Sequence, residues 1–201
     1  MDIIINDLSK KYGKKIVLSH YSAVIKEGMT TTVMAPSGGG KTTLLRILAG
    51  LEKADSGTVL GIEDKKISMV FQEDRLCSNL SALSNIRLVC GRDISRKQIG
   101  EELEKVGLRG SESQPACKLS GGMRRRTALV RALIVPYDLL ILDEPFKGLD
   151  EENKKTVMDY TKEKSHGKTV IFVTHDEKEA EYLGGNRIIL PPNKQQEIES
   201  I

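Results

Sequence analysis

The sequence predicts an α/β fold built on a mainly parallel sheet with helices on both faces. Three observations carry that expectation. Apolar runs such as "LLIL" at 139–142 and "VIFV" at 170–173 are continuous rather than alternating, the pattern of strands covered on both sides. Helical stretches alternate with those runs. Chemistry-bearing residues gather just after Met34, Leu142 and Val173, the strand ends where ligands sit in such folds.

Taken in order, "DIIINDLSKKY" and "KIVLSHYSAVIKEG" are β-rich and partly alternating, and "MTTTVMA" is a β-branched run that stops at Pro36. A glycine cluster follows, then "TTLLRILAGL", an apolar helical pattern closed by Gly50. "DSGTVLG" reads as a turn into a strand and "KISMVFQ" as another short strand. Residues 80–109 predict amphipathic helix, clearest in "ISRKQIGEELEKVGL". A long helix is expected from "LSGG" to about Ile134, then the strand "DLLILDEP" and the charged surface helix "DEENKKTVMDYTKEKSHG". The strand "KTVIFVTHD", the short helix "DEKEAEYLGG" and the strand "NRIIL" complete the order, with a polar, loosely held tail expected from Pro191.

The 201 residues suffice for one well-cored domain. With 39% hydrophobic and 29% charged residues, the chain is globular rather than disordered. A net charge of +3 argues against nucleic acid as the main partner, since dedicated binders carry a larger or more segregated excess. Cys77, Cys90 and Cys117 form no C-x-x-C pair, which favours free thiols in a reducing compartment over zinc or disulfides. The N-terminus lacks the pattern of a secretory signal, and no run approaches a membrane span. A membrane role is therefore expected to pass through a partner chain.

"APSGGGKTT" at 35–43 fits G-x-x-x-x-G-K-[ST] except that Ala35 replaces the first glycine. Between a strand and a helix, the backbone N–H groups of Gly38, Gly39, Gly40, Lys41 and Thr42 can point into one concavity and cradle phosphates. Lys41 supplies full positive charge, the Thr42 hydroxyl suits Mg²⁺, and Thr43 adds a phosphate contact. The acids Asp143 and Glu144 end an apolar strand. That places Asp143 near the metal and lets Glu144 orient an attacking water. An acidic pair alone is a common surface feature, and a lone His175 is usually structural. Both gain meaning from the phosphate loop upstream.

The order of these pieces resembles the ATP-binding-cassette (ABC) ATPases, over nearly the whole chain. Tyr12 in "KKYG" looks like the aromatic that stacks on adenine, and 35–43 resembles the Walker A loop, with Ser37 and Gly38 among its phosphate contacts. Gln72 in "VFQED" resembles the Q-loop glutamine, a sensor of Mg²⁺ and the attacking water. "LSGG" at 119–122 resembles the signature motif, "LLILDEP" Walker B, "KGLD" the D-loop with Asp150, and His175 the switch histidine. Ala35, Met123 and Lys147 depart from the usual pattern, and the last two bear on the dimer interface.

The resemblance implies one nucleotide-binding domain over 1–201. It has a RecA-like P-loop core, an N-terminal antiparallel β subdomain, a helical subdomain at about 73–119 and no C-terminal regulatory domain. It implies ATP and Mg²⁺, with Glu144, His175 and Gln72 catalytic and Thr42, Gln72 and Asp143 at the metal. It also implies a head-to-tail homodimer in which Ser120, Gly121, Gly122 and Asp150 reach the ATP of the other copy. Further implied partners are a transmembrane permease at the cytoplasmic face of the membrane and, for import, a solute-binding protein. "FQEDRL", "NIRLV" and "DEPFKGLD" look most like importers of the nitrate, sulfonate and taurine group. A soluble ABC protein of DNA repair or translation is the competing expectation, and the coiled-coil insertions or paired cassettes of such proteins are not visible here. Arg124 and Arg126 are expected to be solvated or interface-facing, with the role of Arg125 beyond solubility left open.

Overall fold

The computed structural model describes residues 1–34 and 39–191. Strands β1 (Ile3–Tyr12), β2 (Lys15–Ile25) and β4 (Ser56–Leu60) form an antiparallel sheet in the order β2-β1-β4. Strands β5 (Ile67–Val70), β6 (Leu139–Asp143), β7 (Thr169–Val173), β3 (Thr30–Met34) and β8 (Asn186–Ile189) form a second sheet in that order, parallel throughout.

Every residue of β6 and β7 is buried, because the two faces of these strands serve different cores. Leu140, Leu142, Val170 and Phe172 enter a core shared with the helical part of the chain. Leu139, Ile141, Ile171 and Val173 enter one closed by the antiparallel sheet. The period-two alternation of a strand therefore meets apolar surroundings on both sides, which explains the unbroken hydrophobic runs.

The helices are α1 (Lys41–Leu48), α2 (Ala82–Arg87), α3 (Arg96–Lys105), α4 (Gly121–Leu133), α5 (Glu151–Lys164) and α6 (Glu177–Leu183). Ser81, Ser95, Ser120, Asp150 and Asp176 start α2 to α6, each accepting a first-turn backbone N–H with its side chain. The helical stretch expected over 80–109 is two helices. Arg87 spans the break by donating to the carbonyls of Gly91 (2.7 Å) and Ile94 (2.9 Å). Ser95 and Gln98 then restart the chain with a reciprocal capping box, a local signal strong enough to set a new helix axis.

One polar cluster ties α3 to α5. Glu102 accepts from Tyr160 Oη at 2.6 Å and pairs with Lys164 at 2.8 Å and Lys105 at 2.9 Å. Burial pushes the Glu102 carboxyl up, but its donors from Lys164, Tyr160 and Lys105 outweigh burial and hold it below the usual range. The polar tail expected beyond Pro191 lies outside the described residues.

Candidate nucleotide site

The parallel sheet aims the carboxyl ends of β3, β5, β6 and β7 at one cleft, a cavity of about 440 Å³. Tyr12, Lys15 and Val17 form its wall on the antiparallel sheet. Gly39 to Thr43 come from the glycine loop and the start of α1, Gln72 follows β5, Asp143 and Glu144 close β6, and His175 follows β7. The sequence predicts all of these as site residues except Lys15 and Val17. Ser37 and Gly38 lie outside the described residues, as does Ala35.

The entry to α1 is set by Gly40, at φ 84°, where an added Cβ would lie 2.7 Å from the Val17 carbonyl oxygen. Only glycine meets both demands. α1 carries no acidic residue in its first turn and no side-chain cap, the arrangement that leaves a helix N-terminus ready for an anion. Lys41 is buried there, and burial pulls its ammonium below the usual lysine range against the opposing pull of Glu144 and Asp143.

Thr42 Oγ1 donates to Asp143 Oδ2 at 3.3 Å. Burial raises the Asp143 carboxyl above the usual range, and the Thr42 hydrogen bond opposes the rise. The donor set of Thr42, Asp143 and Gln72 is all oxygen, which fits Mg²⁺. Among the described residues no group of three His, Cys, Asp or Glu is placed to hold a metal alone. A magnesium ion here would take its remaining ligands from phosphate oxygens and water, as is usual for this cation.

Glu144 sits in the left-handed region at φ 47°, a costly conformation for a side-chain-bearing residue. Its amide donates to the Val173 carbonyl at 2.9 Å, which pins the turn against β7. His175 Nε2 lies 2.7 Å from Glu144 Oε1, and Lys147 Nζ donates to Glu144 Oε2 at 2.9 Å. Burial pushes this carboxyl up, but Lys147, His175 and Lys41 together hold it below the usual range. Tyr12 is half exposed at the rim, and its hydroxyl donates to Glu52 Oε2 at 3.0 Å.

The arginines correct the sequence reading. Arg125 is only 4% exposed. Its Nε donates to the Pro145 carbonyl at 2.8 Å, and Nη2 donates to those of Asp143 at 2.8 Å and Glu144 at 2.6 Å. Nη1 donates to the carbonyls of Phe71 at 2.5 Å and Gln72 at 3.3 Å, and reaches Asp74 at 3.4 Å. One guanidinium thus fastens the segment carrying Gln72 to the end of β6. Five N–H donors matched to acceptors offset the cost of burying the charge. Arg126 is buried as well and donates to the Val106 carbonyl at 2.8 Å and to Asn153 Oδ1 at 2.5 Å. Helical spacing holds the missed signal: Arg125 shares a face with Ala128, Leu129 and Ala132, all buried. Of the three arginines, Arg124 alone is partly exposed, donating to the Leu119 carbonyl at 2.8 Å.

Ser120, Gly121, Gly122 and Asp150 do not line the cavity. Ser120 is exposed and caps α4, its Oγ accepting from the Met123 amide at 3.2 Å. Asp150 is exposed and caps α5, accepting from the Asn153 amide at 3.0 Å and Nδ2 at 2.7 Å.

A parallel sheet whose strand ends meet a glycine turn, a buried lysine, a hydroxyl and two acids defines a P-loop nucleotide-binding core. The ABC transporter family profile matches residues 18–147, and the chain belongs to that family, as an ATP-binding cassette. It is 36% identical to a sulfate/thiosulfate import ATP-binding protein of Mesostigma viride, over 98% of this chain and 62% of that protein. Identity to the probable counterpart in Chlorella vulgaris is also 36%, over 96% of this chain and 89% of the other. A spermidine/putrescine import ATP-binding protein of Mycoplasma capricolum is 32% identical, with 60% of its length covered. The chain therefore spans about six tenths of the Mesostigma and Mycoplasma relatives. Among solved structures, a dimeric form of MJ0796, a bacterial ABC transporter cassette, superposes with a TM-score of 0.83 at 32% identity, over 94% of both chains. A dimeric post-hydrolysis state of MJ0796 bound to ADP and Pi superposes with a TM-score of 0.81 at 30% identity.

Proposed function

We propose that this chain binds and hydrolyses Mg-ATP as one half of a head-to-tail dimer and so drives a separate permease at the cytoplasmic face of a membrane, for import. The observation that carries this reading is the split of the site. Lys41, Thr42, Gln72, Asp143, Glu144 and His175 meet in one cavity, while the Ser120 end of α4 presents an exposed helix N-terminus elsewhere.

In this reading the α1 N-terminus and Lys41 hold the phosphates, and Tyr12 packs on the base at the rim. Thr42, Asp143 and Gln72 hold the metal, which when bound neutralises phosphate charge. Glu144 accepts the proton of the attacking water, and His175 holds both that carboxylate and the terminal phosphate. Phosphoryl transfer depends on positioning and charge stabilisation more than on covalent help. Ser120, Gly121 and Gly122 of a second copy complete that charge stabilisation, with Asp150 beside them, so ATP binding and closure become one event. The dimeric solved relatives support the pairing.

Residues 73–119, with α2 and α3, are read as the segment that meets the permease, within a single cassette over 1–201. Exposed Leu88 and Val89 beside α2 support this reading. Among the described residues no helix is long and apolar enough to cross a membrane, and in this reading contact with the bilayer passes through the permease. The import direction, and with it a solute-binding protein, rests on relatives named for import of sulfate, thiosulfate and polyamines.

Steady-state ATPase of the wild-type chain against Glu144→Gln tests the assignment. Turnover is expected to fall about a hundredfold or more, in the range for loss of a general base, with ATP binding retained. Equal turnover would overturn the role given to Glu144.

A further inference from the structure

Both oxygens of the Glu144 carboxylate are engaged: Oε1 by His175 at 2.7 Å and Oε2 by Lys147 at 2.9 Å. His175 reaches it from within the cavity, whereas Lys147 does not line the cavity and comes from the loop outside. The backbone around Lys147 is fixed. Phe146 is buried and packs on Phe172 with ring centroids 5.8 Å apart, and Arg125 holds the Pro145 and Glu144 carbonyls. The Lys147 side chain itself is 64% exposed, against 12% for Glu144. Lys147 can therefore leave Glu144 by side-chain rotation alone, without moving the loop. The same loop approaches the signature end of α4: a Cβ added to Gly122 would lie 3.4 Å from Leu149 Cδ2.

We propose that Lys147 is a positioning residue that ties up one oxygen of Glu144 in the separate subunit and releases it when two cassettes close on ATP. The proposal rests on the reading of Glu144 as the attack base. In the proposed dimer a second copy comes against the exposed surface from which Lys147 approaches and offers its ammonium other partners. An ammonium on Oε2 holds the carboxylate and its charge toward the outer loop and away from the cavity where the attacking water would sit, so releasing Lys147 lets the carboxylate turn to that water before turnover. Because the pair is largely exposed on the lysine side, its effect is modest.

The test is kcat and KM for MgATP in Lys147→Ala and Lys147→Arg, with Lys147→Ala also made in the Glu144→Gln background. Lys147→Ala should raise kcat about threefold to fivefold at unchanged KM, which is about 0.7–1 kcal/mol of barrier at ~1.4 kcal/mol per tenfold. Lys147→Arg, which keeps charge and reach, should restore the slow turnover. In the Glu144→Gln background the alanine change should have no effect. A kcat at or below wild type in Lys147→Ala would overturn the proposal while leaving the role of Glu144 intact. The same rise in the Glu144→Gln background would also overturn it, by placing the action elsewhere. Full turnover by Glu144→Gln alone would remove the underlying reading, and the proposal with it.

Discussion

The two ends of the nucleotide machinery differ in how much of their chemistry one chain completes. At the sheet end, Lys41, Thr42, Asp143, Glu144 and His175 already face one another, and Arg125 holds five carbonyls around them. At the signature end, Ser120 is exposed and its hydroxyl accepts from the helix it caps, with no acidic residue in the first turn to occupy the helix N-terminus. Under the proposed function, the contrast teaches how a single fold would couple association to chemistry. One face carries fixed charges, while the other carries backbone and hydroxyl donors with room for an anion. In the proposed head-to-tail dimer each supplies what the other lacks.

The contrast breaks most severely at Arg125. Arg125→Ala leaves a set of buried carbonyls and Asp74 without their shared donor, and should lower unfolding free energy by about 3–5 kcal/mol, the scale for breaking a buried charged network. Urea unfolding followed by circular dichroism reads this directly. A loss under ~1 kcal/mol would mean that the guanidinium holds nothing essential.

A smaller effect is expected at the open end. Ser120→Ala removes a cap and should cost about 1 kcal/mol of stability. Loss of one donor at the partner's phosphate should reduce turnover about a hundredfold. ATP affinity of the separate chain, measured by calorimetry, should not change, because Ser120 lies outside its own cavity. Weakened ATP binding by the separate chain would contradict the division between the two ends.

The smallest effect is expected far from either end. Tyr160→Phe deletes the hydroxyl that donates to Glu102, a bond to a charged group worth about 1.5 kcal/mol, and should leave kcat alone. The folded-state Glu102 carboxyl lies below its usual value. Its contribution is therefore full above the unfolded value of about 4.3 and is lost as pH falls through the lower folded value. Thermal melts from pH 7 to pH 3 should show a shallower acid decline in Tyr160→Phe than in wild type. Parallel declines would remove Glu102 from the account of acid stability.

The sheet end was the more legible in sequence because its residues follow apolar strands, and strand ends of a parallel sheet converge. Asp143, Glu144 and His175 could be set at strand ends from "LLILDE" and "VIFVTH", and the phosphate loop upstream gave them their meaning. The Arg125 network was not legible, since three consecutive arginines read as a solvated face until helical spacing assigns Arg125 to the side of Leu129. The break between α2 and α3 was equally hidden, because the amphipathic pattern runs on while the Ser95 cap resets the axis. Lys147 stood out only as a departure from a familiar motif. Its partner became visible once the turn after β6 brought it back over Glu144.

The claim that one site is shared by two copies is tested most directly by the solution mass of the Glu144→Gln chain, with and without MgATP, by light scattering. The account predicts a shift from one chain to two on adding MgATP, and reversal on its removal. A protein that binds MgATP fully and keeps the mass of a single chain would contradict it.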